Sequence, residues 1–149
     1  MKILIAADHG GFELKEKLKP YLLKLGYKVK DLGTDSPESV DYPDYAVKLS
    51  KQLAGTKDKG ILICGTGIGM CMTANKIKGI RAAFAYDKFT AKMSRAHNNA
   101  NVLCLGGRVT SFRDAKTIVK IFLETDFDGD ITLGIRHKRR ISKIDRLLK

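Results

Sequence analysis

Short apolar runs recur at residues 3–7, 61–64, 80–85 and 101–105, and longer stretches with helical spacing separate them. That alternation predicts βαβ units. Runs that are apolar on both faces predict strands of a parallel sheet covered by helices on either side, whereas residues 27–32 (Tyr-Lys-Val-Lys-Asp-Leu) alternate and predict an edge strand. Leu14, Leu18, Leu22 and Leu25 step by four, four and three, one stripe of a helix that Gly26 can end in a left-handed cap. Pro20 inside it predicts a kink or a local break. A second helix is expected to begin at Asp41-Tyr42-Pro43, with Pro in the first turn, and to carry Ala46, Leu49 and Leu53 on its core face. Further helices are expected over about 87–97 and 111–123. Ile141, Ile144 and Leu148 repeat at helical spacing, so residues 136–149 read as a basic amphipathic helix with a buried stripe. The expected class is α/β, with a five-stranded parallel sheet and helices on both faces.

Composition narrows the picture in three ways. A chain of 149 residues with 44% hydrophobic content is long enough for one domain over residues 1–149 and needs no disulfide or metal to fold. Cys64, Cys71 and Cys104 are odd in number and lack C-x-x-C spacing, so they read as reduced thiols; with no signal-peptide pattern and no membrane-length apolar run, a cytoplasmic location is expected and no membrane contact. The net charge of +12 predicts an anionic partner. Seven basic residues against one acid lie in 136–149, which reads either as a solvated helix face or as an anion site. Aromatic residues make up only 7% and no recognised binding motif is present, so a nucleic-acid-binding domain is not expected.

In a parallel α/β sheet, ligands bind outside the carboxyl ends of the strands. Asp8-His9-Gly10-Gly11 follows the first strand, Cys64-Gly65-Thr66-Gly67-Ile68-Gly69 the third and Gly106-Gly107-Arg108 the fifth. His97-Asn98-Asn99 falls at the opposite end. Three glycines at alternate positions form either a structural turn or a cradle of N–H groups for an anion or oxyanion near a helix N-terminus. A dinucleotide fingerprint would need Gly at position 70, where Met70 stands, and no G-K-[ST] ending follows; these argue against a nucleotide-binding module with Asp87 near a ribose. Cys64 reads either as a small buried strand-end residue or as a thiol whose pKa the helix start lowers, available as base or nucleophile. Cys71 and Cys104 read as core. Thr66 serves a substrate, the thiolate or its own turn. Asp8 and His9 form a cap, a metal pair or a substrate pair. Metal is not expected, because the chain has three His, none in a metal spacing, and His137 sits among cations. His97 is a structural histidine or, with Asn98 as orienting amide, an acid/base.

Ala7-Asp8-His9-Gly10-Gly11, Asp41-Tyr42-Pro43, the run from Cys64 to Gly69, the run from Ser94 to Leu103 and Arg136-His137-Lys138-Arg139-Arg140, in this order, resemble the ribose-5-phosphate isomerase B family and its galactose-6-phosphate isomerase relatives. The resemblance covers nearly the whole chain. It implies a Rossmann-like three-layer sandwich acting as a homodimer, sometimes paired into a tetramer, that needs no cofactor. The implied reaction interconverts ribose 5-phosphate and ribulose 5-phosphate, with galactose or allose 6-phosphate as the alternative substrates. It implies that Cys64 is the base, that His97 assists ring opening with Asp8 or Asp41, and that Thr66 supports the chemistry. Asp8, His9, Tyr42, Gly65, Thr66, Gly67, Ile68, Gly69, Asn98, Arg108, Arg136 and Arg140 are the implied substrate contacts, with His97, Asn98 and Arg108 contributed by the partner subunit. The chain departs from the family's Gly-Gly-Arg-His at Ile135.

Overall fold

Alternate residues of the apolar runs enter two different cores. Ile3, Ile5, Ile61, Ile63, Leu103 and Leu105 point to one side, while Leu4, Ala6, Leu62, Cys64, Val102 and Cys104 point to the other. The computed structural model describes residues 1–131 and 134–147. Its elements are β1 (Lys2–Ala7), α1 (Phe12–Lys24), β2 (Lys28–Asp31), α2 (Tyr42–Leu53), β3 (Lys59–Cys64), α3 (Ile68–Ala74), β4 (Ala82–Phe84), α4 (Lys88–Ala96), β5 (Val102–Gly106), α5 (Phe112–Glu124), a 3-10 turn at Asp128–Asp130 and α6 (Ile135–Asp145). The strands form one parallel sheet in the order β2-β1-β3-β5-β4. Helices α1, α4 and α5 supply the first core, and α2 and α3 the second. The α/β sandwich with an alternating strand at its edge is therefore present. No helix among the described residues is long and apolar enough to cross a membrane.

Local chemistry explains the boundaries. Gly26 adopts φ +86° behind α1, where the Tyr27 N–H donates to the Leu22 carbonyl and the Gly26 N–H to Leu23, closing a left-handed cap. Asp87 caps α4 by accepting the Thr90 N–H at 2.7 Å while Thr90 reaches back, so this carboxylate is committed to the helix start.

Three expectations need correction. The helix α1 continues through Pro20 without a break, because burial of Leu14, Leu18 and Leu22 outweighs one absent N–H on an exposed face. The run at 80–85 yields only the three half-buried residues of β4, which is the second edge of the sheet; Asn101 and Asn75 side chains take the Arg81 and Ala82 N–H groups. Along α6 the buried positions are His137 and Ile141, whereas Ile144 is half-exposed and Leu148 lies outside the described residues. The Asp128–Asp130 turn packs against α6, and Arg81 binds Asp145 at 3.1 Å at its far end.

Lys15, 1% exposed, crosses the edge of the sheet to bind Asp31 and Glu16, and Lys19 binds both acids as well. Burial pushes the Asp31 carboxyl up, but Lys15, Lys19 and the Gly33 N–H outweigh it and hold it below its ordinary value. A carboxylate lowered on folding stabilises the protein above its unfolded pKa, and that contribution is lost as pH falls through the folded value. Asp31→Asn should therefore reduce stability by about 1 kcal/mol at neutral pH. In urea titrations the gap between variant and wild type should narrow as the pH drops below the carboxylate range.

Candidate active site

The carboxyl ends of β1, β3 and β5 lie side by side, and their following loops touch through backbone alone. The Asp8 N–H donates to the Ile63 carbonyl, the Gly107 N–H to Cys64 at 2.7 Å and the Arg108 N–H to Gly65 at 3.0 Å. A methyl group on Gly11 would strike the Ile63 carbonyl, and one on Gly107 would strike the Gly10 carbonyl. No larger residue fits this close approach.

That packing fixes the side chains. Asp8, 5% exposed, accepts the Gly11 N–H on Oδ1 at 3.1 Å. His9 accepts the Val40 N–H on Nδ1 at 3.3 Å, which leaves the neutral imidazole a proton on Nε2. Cys64, also 5% exposed, ends β3, and the Gly67 N–H donates to its Sγ at 3.2 Å. Gly67 takes φ +82° as the cap of α3, the left-handed conformation that turns this N–H back onto the sulfur. Thr66 serves its own turn, accepting the Ile68 N–H at 3.5 Å. Among the described residues no hydrogen bond occupies the N–H groups of Thr66 or Gly69. The Tyr42 ring lies over Gly69, where an added methyl would stand 2.6 Å from it.

Arg108, expected from a second subunit, lies in the same chain as Cys64. Its guanidinium rests against Gly65, with Nη1 3.3 Å from the position a Cβ would take. The reason is the pairing of Cys64 with Gly106 at the ends of β3 and β5, which carries the following arginine onto the glycine loop.

His97, Asn98, Arg136 and Arg140 gather elsewhere. His97 caps α4 and precedes β5, so it stands at the amino end of the sheet, with the length of β5, roughly 13 Å, between it and the Cys64 level. Buried Arg95 holds this turn by donating to the Ala100 carbonyl at 2.6 Å and to Asn99 Oδ1 at 2.8 Å. Asn98 is exposed, as are Arg136 and Arg140, which flank buried His137 on α6. The His97 and His137 rings stack with centroids 4.1 Å apart and planes 8° apart. This contact was not read from the sequence, which offers only one histidine on a helix of cations. Ile135 begins α6 with its side chain 61% exposed.

Cys104 is buried as expected, and Cys71 packs against the same core but is only half-buried. The Cys104 thiol, with the Phe84 N–H and Asn75 amide, outweighs burial and holds Cys71 to about 7. Among the described residues no group of His, Cys, Asp and Glu could hold a metal ion.

Comparison with known proteins finds matches over nearly the whole chain. The profile of the family described as Ribose/Galactose Isomerase matches residues 3–144. Ribose-5-phosphate isomerase B of Escherichia coli is 42% identical over 144 residues, covering 96% of this chain and 93% of that protein. The crystal structure of a ribose 5-phosphate isomerase from Thermotoga maritima superposes with a TM-score of 0.91 at 53% identity, covering 97% of each chain. A Clostridium thermocellum ribose-5-phosphate isomerase B superposes with a TM-score of 0.92 at 46% identity, covering 99% of this chain and 97% of that one.

The loop packing makes a contrast that denaturation can measure. Gly11→Ala should cost about 3 kcal/mol, because the Ile63 carbonyl has nowhere to move. Gly26→Ala, with open space around it and only the φ penalty to meet, should cost about 1 kcal/mol.

Proposed function

The chain belongs to the Ribose/Galactose Isomerase family, and from that premise we propose that it interconverts D-ribose 5-phosphate and D-ribulose 5-phosphate, a reaction of the pentose phosphate pathway. The observation that carries this reading is the Cys64 sulfur, which accepts the Gly67 N–H where the loops bearing Asp8 and Arg108 meet its own. Aldose–ketose isomerisation needs one base beside the reacting carbons and donors for the oxygen that becomes negative.

The Cys64 thiolate takes the proton from C2 of the open-chain aldose. The released electron pair forms the C1–C2 double bond, and the carbonyl oxygen becomes the enediolate oxygen. The N–H groups of Thr66 and Gly69, without a hydrogen-bond partner among the described residues, would stabilise that charge. A proton passes from the C2 hydroxyl to the C1 oxygen, Cys64 returns its own proton to C1, and the ketose results. Every atom is conserved and no electron acceptor takes part. Asp8, His9 and the loop backbone hold the sugar hydroxyls.

The furanose must open first, and His97 is the group we assign to move protons between the ring oxygen and the anomeric hydroxyl. One chain holds His97 at the wrong end of the sheet, so the proposal includes a homodimer in which His97, Asn98, Arg136 and Arg140 of the partner subunit face Cys64. Arg108 then meets the phosphate in cis, and Arg136 and Arg140 meet it in trans.

Purified protein should convert ribose 5-phosphate without added metal or cofactor, with kcat/KM above that for allose or galactose 6-phosphate. Cys64→Ala should keep the fold and lower kcat by at least about 10³-fold; near-normal turnover would sink the assignment of the base. Inactive Cys64→Ala and His97→Ala chains, unfolded and refolded together, should recover about a quarter of wild-type activity, since half the dimers are hybrids carrying one intact site. No recovery would overturn the shared site.

A further inference from the structure

The buried imidazole of His137 has no place in the reaction as derived, yet it is in face-to-face contact with the histidine assigned to open the ring. We propose that His137 is a positioning residue for ring opening: its ring, held in place by α6, forms the platform that fixes the orientation of His97. The inference rests on the assignment of ring opening to His97.

Geometry supports it first. His97 belongs to the C-cap of α4 and its backbone is set by Met93 and by the Arg95-bound turn, but no hydrogen bond to its ring nitrogens is present among the described residues. A half-buried imidazole on a helix end would sample several rotamers. The parallel ring of His137 at 4.1 Å is the contact that selects one. His137 is itself 7% exposed, and the Asp128–Asp130 turn packs against its helix.

Charge fits the same role. Two stacked imidazoles cannot both carry a proton cheaply, and the one assigned to move protons in ring opening is His97. Burial first, then His97, Arg136 and Arg140, push His137 below its ordinary value, with Asp128 on the neighbouring turn pulling weakly the other way. The platform is therefore biased towards its neutral form. A neutral ring under an imidazolium also attracts it through the π face.

A split between two assays distinguishes positioning from general damage. Ribose 5-phosphate is a closed furanose that must be opened. Ribulose 5-phosphate carries its phosphate on the O5 that ring closure would need and stays open, so incorporation of solvent deuterium at its C1 reports Cys64 chemistry alone. His137→Ala should lower kcat from ribose 5-phosphate about tenfold, a fraction of the 10²–10⁴ that acid–base catalysis supplies, and change the exchange rate less than twofold. His137→Phe, which keeps a flat neutral platform, should restore most of the loss.

Unchanged isomerisation by His137→Ala would overturn the proposal. So would an equal loss in both assays, or a His137→Phe variant no better than His137→Ala. His97→Ala run beside them separates the premise: if it loses nothing from ribose 5-phosphate, the ring-opening assignment falls; if it shows the split and His137→Ala does not, only the platform falls.

Discussion

Everything at the carboxyl end of the sheet depends on how closely three strand-end loops approach one another. The loops after β1, β3 and β5 meet at Gly10, Gly11 and Gly107, where added side-chain atoms would overlap neighbouring backbone. Because the contact is backbone to backbone, the positions of Asp8, Cys64 and Arg108 follow from the sheet register rather than from side-chain rotamers. The proposed base, set by main-chain geometry, would need little reorganisation when the reaction starts, which is what electrostatic preorganisation requires. The same constraint ties the proposed chemistry to stability, since a change that loosens the loops moves Cys64.

The amino end is built on a different principle. There the held features are side-chain contacts: Arg95 clamping the 97–99 turn, Arg81 reaching Asp145 on α6, and His97 lying on His137. Such contacts adjust more readily than interlocked backbone. A division of this kind suits the two steps proposed for the reaction. Proton transfer between carbons demands a fixed base, whereas ring opening and phosphate capture demand groups that meet the ligand from a separate surface.

Much of this was legible in the sequence, and the exceptions share a physical cause. Patterning revealed the strands, the helix faces at Leu14, Leu18 and Leu22 and at Ala46, Leu49 and Leu53, and the placement of chemistry at strand ends, because period and spacing are local properties. Arg108 was misplaced because the reach of a long side chain over a neighbouring loop depends on which strands pair. The short β4 was overextended because Asn75 and Asn101, seven and twenty residues away from the N–H groups they cap, end the strand's pairing. The half-exposed Ile144 and the chemistry of Cys71 were missed for the same reason: neither a packing partner nor a neighbouring thiol is visible in residue spacing.

The basic character of the chain now divides by location. Lys15 and Lys19 are spent on Glu16 and Asp31 at the sheet edge, and Arg95 and Arg81 on carbonyls and amides of the amino-end turns. All four are already partnered within the chain, although all of them enter the net charge. Arg108, Arg136 and Arg140 are different, being exposed and placed beside the two halves of the proposed site. A phosphate dianion is matched by two or three guanidinium forks, not by a field of +12, so the proposed recognition rests on these few while the rest of the excess attracts anions without selecting among them. The proposed substrate, small and singly phosphorylated, is the kind of anion such an arrangement would select.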